Sequence, residues 1–138
     1  MIAAWQQVLA LDRAAPPGEV TITDDDVERI AIETLAELPD AIRAKLEKVP
    51  MLIDDLPSAE LVADGLDPRL LGLFQGTPMP DDGSAVPAVT NILLFRRNLE
   101  RASADEDQLA EEIRITVLHE TAHYFGLDED DLAALGLD

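Results

Sequence analysis

Ser103 to Gly126 is the longest uninterrupted helical pattern in the chain, and it constrains the architecture more than any other segment. About 22 residues rising 1.5 Å each make a rod of roughly 33 Å, close to the diameter of a small domain. The rest of a 138-residue chain must therefore be arranged along its sides. Ser103 with Glu106 three residues later is a capping-box pattern, and Asp105, Glu106 and Asp107 crowd the first turn, where acids oppose the helix dipole. Gly126 is a natural helix stop, because it can take positive φ. On a wheel at 100° per residue, Ile115, Leu118, Ala122 and Phe125 fall within about 80°, which predicts a stripe packed on a sheet. His119, Glu120 and His123 lie off that stripe.

Other segments supply the layers. Ile2, Trp5, Val8 and Leu9 fit one face of a short N-terminal helix. Thr23 before Asp24, Asp25 and Asp26 reads as an N-cap, and a helix is predicted over residues 24–37, with a second stretch from Ala41 to Lys48 beyond Pro39. Three short apolar runs read as strands: Val49 to Leu56, Leu70 to Phe74, and Val89 to Arg97, the last being the richest in β-branched and aromatic residues. Gln75 to Ala88, with three prolines and a DDG turn signal, is predicted to be an exposed loop. Asp128 can cap a last short helix, with Leu132 and Leu135 turned inward and Gly136 ending it. The pattern predicts one α+β domain over residues 1–138, with an N-terminal helical layer, a small three-stranded sheet and no internal repeat.

Composition narrows the function. There is no cysteine, so a metal can bind only through nitrogen and oxygen ligands. Twenty-nine acids against ten Lys and Arg give a formal charge of -19, a field that repels phosphate backbones and anionic lipid. Nucleic acid and membrane surfaces are therefore poor partners. The first residues lack a basic start and are interrupted by Gln6, Gln7 and Asp12, which argues against a secretory signal, and no segment approaches the roughly 20 apolar residues of a membrane span. A cytoplasmic protein is expected.

Both histidines of the chain lie in HETAHYFG, residues 119–126. Four residues apart on a helix, they project from one side one turn apart, the geometry that lets two imidazole nitrogens reach one Zn²⁺ at about 2.0 to 2.1 Å. Glu120, one residue after the first, is angled beside the ion and can take a proton from metal-bound water, so H-E-x-x-H assigns His119 and His123 as ligands and Glu120 as general base. The competing reading is a pair of partly buried histidines satisfied by neighbouring carboxylates. A third ligand has to come from Asp128, Glu129, Asp130, Asp131 or Asp138. Glu129 occupies the third-ligand place of the H-E-x-x-H-x-x-G-x-x-(H/D) arrangement and is the first choice; Asp130 is next, and Asp128 and Asp131 can instead cap the last helix.

HETAHYFGLDEDDL, preceded by EEIRITVL and by the runs LGLFQG and ILLFRRNLE, resembles the small bacterial zincin-like metallopeptidases, the minimal zincins. The resemblance covers about residues 24 to 136; the segment before Thr23 lies outside it. It implies a three-stranded sheet packed by an active-site helix under an N-terminal helical layer, and zinc-dependent hydrolysis of peptides or proteins. It is not a full metzincin, since Met1, Met51 and Met79 all precede the motif where a Met-turn would follow it, and the third-ligand place holds glutamate. A thermolysin-like arrangement, with a glutamate on a later helix, does not fit the fifteen residues after His123. An edge strand that pairs with extended substrate is expected, with Val89 to Phe95 as the candidate. Tyr124 points about 100° away from His123 on the wheel and is given no role, and Arg96 and Arg97 are expected to anchor acids. The alternative is a non-catalytic module in which the metal ties the long helix to the C-terminal segment and the cleft or loop 75–88 binds a partner.

Overall fold

The computed structural model describes residues 2–77, 88–134 and 136. Among these, seven helices surround one three-stranded mixed sheet, the α+β architecture expected. The helices α1 (Ile2–Ala14), α2 (Asp24–Leu35) and α3 (Asp40–Leu46) come first. They are followed by β1 (Met51–Asp54), α4 (Ala59–Ala63), β2 (Gly72–Thr77) and β3 (Ala88–Phe95), and then by α5 (Arg96–Arg101), α6 (Glu106–Phe125) and α7 (Glu129–Ala134). Among the described residues no helix is long and apolar enough to cross a membrane. Leu135, Met79, Asp138 and most of the expected loop 75–88 lie outside the described residues.

The long helix α6 starts two residues later than the Ser103 pattern suggests. Its N-cap is Asp105, whose carboxylate accepts the Gln108 N–H at 2.8 Å, while the Gln108 side chain accepts the Ala104 N–H at 2.7 Å. Ser103 is occupied by the preceding helix: it is buried and donates to the Leu99 carbonyl at 2.9 Å at the end of α5. Gly126 closes α6 with φ 67°, as expected.

The buried face of α6 is rotated from the predicted stripe. Leu109, Ile113, Val117 and Tyr124 lie in the main core with Val27 and Ala31 of α2, so the helix is centred on Ile113 and Val117. Leu118 and Ala122 are buried as predicted, but Ile115 is 47% exposed. From Leu109 onward the exposed positions are Glu111, Ile115, His119 and His123, a line of one residue every four. A helix wrapped on most of its circumference leaves one such line open, and both imidazoles lie on it.

In the sheet, β3 is central, parallel to β1 (Met51 opposite Ile92) and antiparallel to β2 (Gly72 opposite Leu94, Phe74 opposite Ile92). This corrects the expectation that Val89 to Phe95 is an edge strand. Ile92, Leu93, Leu94 and Phe95 are all buried, and such a run without alternation belongs to a strand covered on both faces. The edge beside α6 is β2. It also runs further than predicted, because Gln75, Gly76 and Thr77 continue the strand.

β3 in turn stops at Phe95, and Arg96 opens α5. Arg96 anchors acids as expected, pairing with Asp24 at 3.0 Å, Glu100 at 3.3 Å and Asp55. Arg97 does not; it donates to the Ala15 carbonyl just past α1. α1 itself docks through Leu9 against Leu56 and Val62, with Trp5 alongside, whereas Ile2, predicted for this face, is exposed. Asp12 is buried in the same junction, held by Arg101 at 2.8 Å and Arg69 at 3.3 Å.

Candidate metal centre

His119 and His123 stand one turn apart on the exposed line of α6, and Glu120 is half-buried on the side of the helix that faces β2. Two features of β2 let the helix come this close. Gly72 has no side chain where one would collide: a Cβ there would lie 2.8 Å from the Thr116 methyl and 2.9 Å from Leu94 Cδ2. Phe74, buried, stacks at a tilt on Tyr124 with ring centroids 6.0 Å apart.

Burial pushes the Glu120 carboxyl above the ordinary carboxylate range; the Phe74 backbone N–H, His123 and His119 pull it back but do not cancel the rise. A carboxylate of raised basicity beside two imidazoles is suited to accepting a proton. Tyr124, left without a role by the wheel, belongs to this centre. It is buried, its ring meets His123 edge-on at 6.0 Å, and its hydroxyl donates to the Gly76 carbonyl at 3.2 Å. Burial, and then the Glu120 charge, raise its pKa and keep that hydroxyl protonated. The wheel placed it correctly relative to His123; what sequence could not supply was the strand on its other side.

The competing reading of carboxylate-satisfied core histidines does not fit. Both imidazoles are exposed, and among the described residues no ion pair includes either one. The nearest cation along the helix, Arg114, is taken up by Glu37 at 3.3 Å and Glu111 at 3.8 Å. Two uncommitted imidazoles one turn apart are nitrogen donors of the kind Zn²⁺ takes. The sequence model of the zincin-like metallopeptidases matches residues 46–137, which is 92 of the 138 residues. The chain belongs to this family. No curated protein matches it.

Zincin-like membership implies zinc binding and peptidase chemistry, and the matched segment contains all of β1 through α7. It begins at Leu46, the last residue of α3, so α1 and α2 lie outside it although α2 packs directly on the histidine helix. The zincin-like fold that the resemblance implied is present: a small sheet, a long helix carrying H-E-x-x-H, and helices ahead of both.

The acids after Gly126 are used unequally. The Asp131 N–H donates to Asp128 at 2.8 Å and the Asp128 N–H to Asp131 at 3.0 Å, a reciprocal cap at the start of α7, so both take the capping role anticipated for them. Glu129 and Asp130, in the first turn of α7, are exposed. Among the described residues no three His, Asp or Glu side chains converge on one point, so α6 places two donors and the third is not gathered with them. A cavity of about 440 Å³ lined by Pro17, Glu19, Arg97 and Arg101 contains none of these residues.

Proposed function

We propose that this zincin-like protein is a zinc-dependent peptidase in which His119, His123 and Glu129 hold Zn²⁺ and Glu120 is the general base. When bound, Zn²⁺ supplies a Lewis acid that polarises a peptide carbonyl and acidifies water. The remaining work belongs to the chain. Glu120, held between the imidazoles and β2, takes the proton of the attacking water and passes it to the leaving amine. Among the described residues, the mutual capping of Asp128 and Asp131 leaves Glu129 and Asp130 as the uncommitted carboxylates near the motif, and Glu129 has the motif's third-ligand spacing.

The substrate is an extended peptide or protein segment laid along the outer edge of β2, where backbone groups can pair with it as an added strand. A charge of -19 favours neutral or cationic peptides and disfavours nucleic acid and anionic membranes.

The observation that carries this reading is the position of Glu120, turned from the exposed histidine line toward the strand edge. Glu120→Gln tests it. The variant is expected to keep its zinc and lose about 10²- to 10⁴-fold in peptide hydrolysis, the usual worth of a positioned base. Zinc lost together with activity would make Glu120 a ligand. Activity retained would remove it from the chemistry. A zinc-loaded wild type that cleaves no peptide would leave a metal-stapled, non-catalytic module.

A further inference from the structure

Helix α6 and strand β2 meet in three steps, each four residues along the helix and two along the strand. Thr116 lies against Gly72, Glu120 against the Phe74 N–H, and the Tyr124 hydroxyl against the Gly76 carbonyl at 3.2 Å. Four helical residues advance about 6.0 Å and two strand residues about 6.6 to 6.8 Å, so helix and strand run alongside each other and slip only slightly at each step. The slip accumulates toward the third contact, and the strand changes there. The register with β3 shifts between Gln75 and Gly76, and Gly76 takes φ 141°, a conformation that favours glycine. The residue whose carbonyl meets Tyr124 is thus the one whose backbone departs from the regular strand.

The contacts also fall on a particular side of β2. The Phe95 N–H donates to the Leu71 carbonyl at 3.0 Å, and hydrogen-bonded pairs alternate along an antiparallel ladder. Leu73 and Gln75 therefore turn their backbone groups toward β3, while Gly72 and Phe74 turn theirs away from it, the Phe74 N–H toward Glu120. Beyond them Tyr124 holds the end of that side of β2, with its ring set against His123.

From this geometry we infer that Tyr124 is a positioning residue for the peptidase site: its hydroxyl fixes the outer edge of β2 at a set distance from His119 and His123. This rests on the peptidase reading above. Tyr124 touches neither the reacting atoms nor the attacking water; it determines where a peptide paired along β2 lies relative to them. Its loss should therefore weaken the hold on substrates long enough to run along the strand and affect the shortest ones least.

The test is Tyr124→Phe, which removes one hydroxyl and keeps the ring packing, assayed in the zinc-loaded full chain. The substrates are nested synthetic peptides of three to nine residues built outward from one cleaved bond. KM for the longest peptides should rise about three- to ten-fold, the size of one hydrogen bond, with smaller changes in kcat and in zinc content. Gly76→Ala, which strains the backbone at the same contact, should reproduce the length dependence. Equilibrium binding of the same peptides to Glu120→Gln and to Glu120→Gln with Tyr124→Phe separates this inference from the peptidase reading. If wild type cleaves nothing but long peptides bind and lose affinity without the hydroxyl, the peptidase reading falls and the positioning of the edge stands. A loss equal for all lengths, a loss of zinc, or no change in KM or binding would overturn the inference.

Discussion

The two sides of α6 are built from different materials. Toward α2, Leu109, Ile113 and Val117 meet Val27 and Ala31 in a core with almost no exposure, and the seam is apolar. Toward β2 the contacts are a missing side chain at Gly72, a carboxyl beside a backbone N–H, and a phenol donating to a carbonyl. Apolar packing is non-directional and contributes in proportion to the area buried; contacts of the second kind contribute little net stability but fix distances and angles. The α2 side holds the helix in the fold, and the β2 side orients what the helix carries.

Ile113→Ala should have the largest effect on stability. Removing the largest part of a fully buried isoleucine on the α2 side is expected to cost about 2–5 kcal/mol, with zinc affinity of the folded fraction unchanged. Chemical denaturation beside a zinc titration checks both. An equal loss of zinc affinity would show that the α2 seam also sets the site and would dissolve the contrast.

Gly72→Ala comes next, at about 1–3 kcal/mol, because the new Cβ would meet Thr116, Leu94 and the Leu93 carbonyl, which lies 3.1 Å away. Here stability and peptide binding should fall together, since the same contact sets how closely α6 approaches β2. A stable variant with weakened peptide binding would sharpen the contrast; a destabilised one that binds peptide normally would break it.

The smallest effect is the pH dependence of Glu120. Its folded pKa is raised, so the stability it contributes is fully present below its unfolded pKa and is lost as pH rises through the folded value. At neutral pH the zinc-free Glu120→Gln variant should therefore be slightly more stable than wild type, and the difference should shrink as pH falls through the carboxylate range. Equal stabilities at every pH would mean that burial does not penalise this carboxylate.

How far the sequence foretold this molecule follows the same division. Caps, the glycine stop and the one-turn spacing of His119 and His123 are local, and local chemistry settled the Gly126 end of α6, the N-cap at Thr23 and the capping pair Asp128 and Asp131. Strand order is a tertiary property, and β-branched content marks β3 as a strand without marking whether it is central or at an edge. The unbroken apolar run Ile92 to Phe95, without alternation, is the sequence signal that it is central. Ile115 was assigned to the core because a wheel counts apolar residues and cannot say which side α2 and the sheet occupy. The α5 helix was hidden in a run of arginines that looked like the end of a strand, and that helix in turn took Ser103 from the cap of α6. Tyr124 was missed because its partner is a backbone carbonyl 48 residues away. The Gly76 that supplies this carbonyl lies in a stretch that read as loop.

Membership in the zincin-like family and the exposed imidazoles of α6 lead to one measurement: zinc per chain in the purified protein beside its His119→Ala and His123→Ala variants. The account predicts one tightly held zinc in wild type and its loss in each variant, with the fold retained because neither side chain is part of the core. Wild type that binds no zinc, or variants that keep it, would contradict the account.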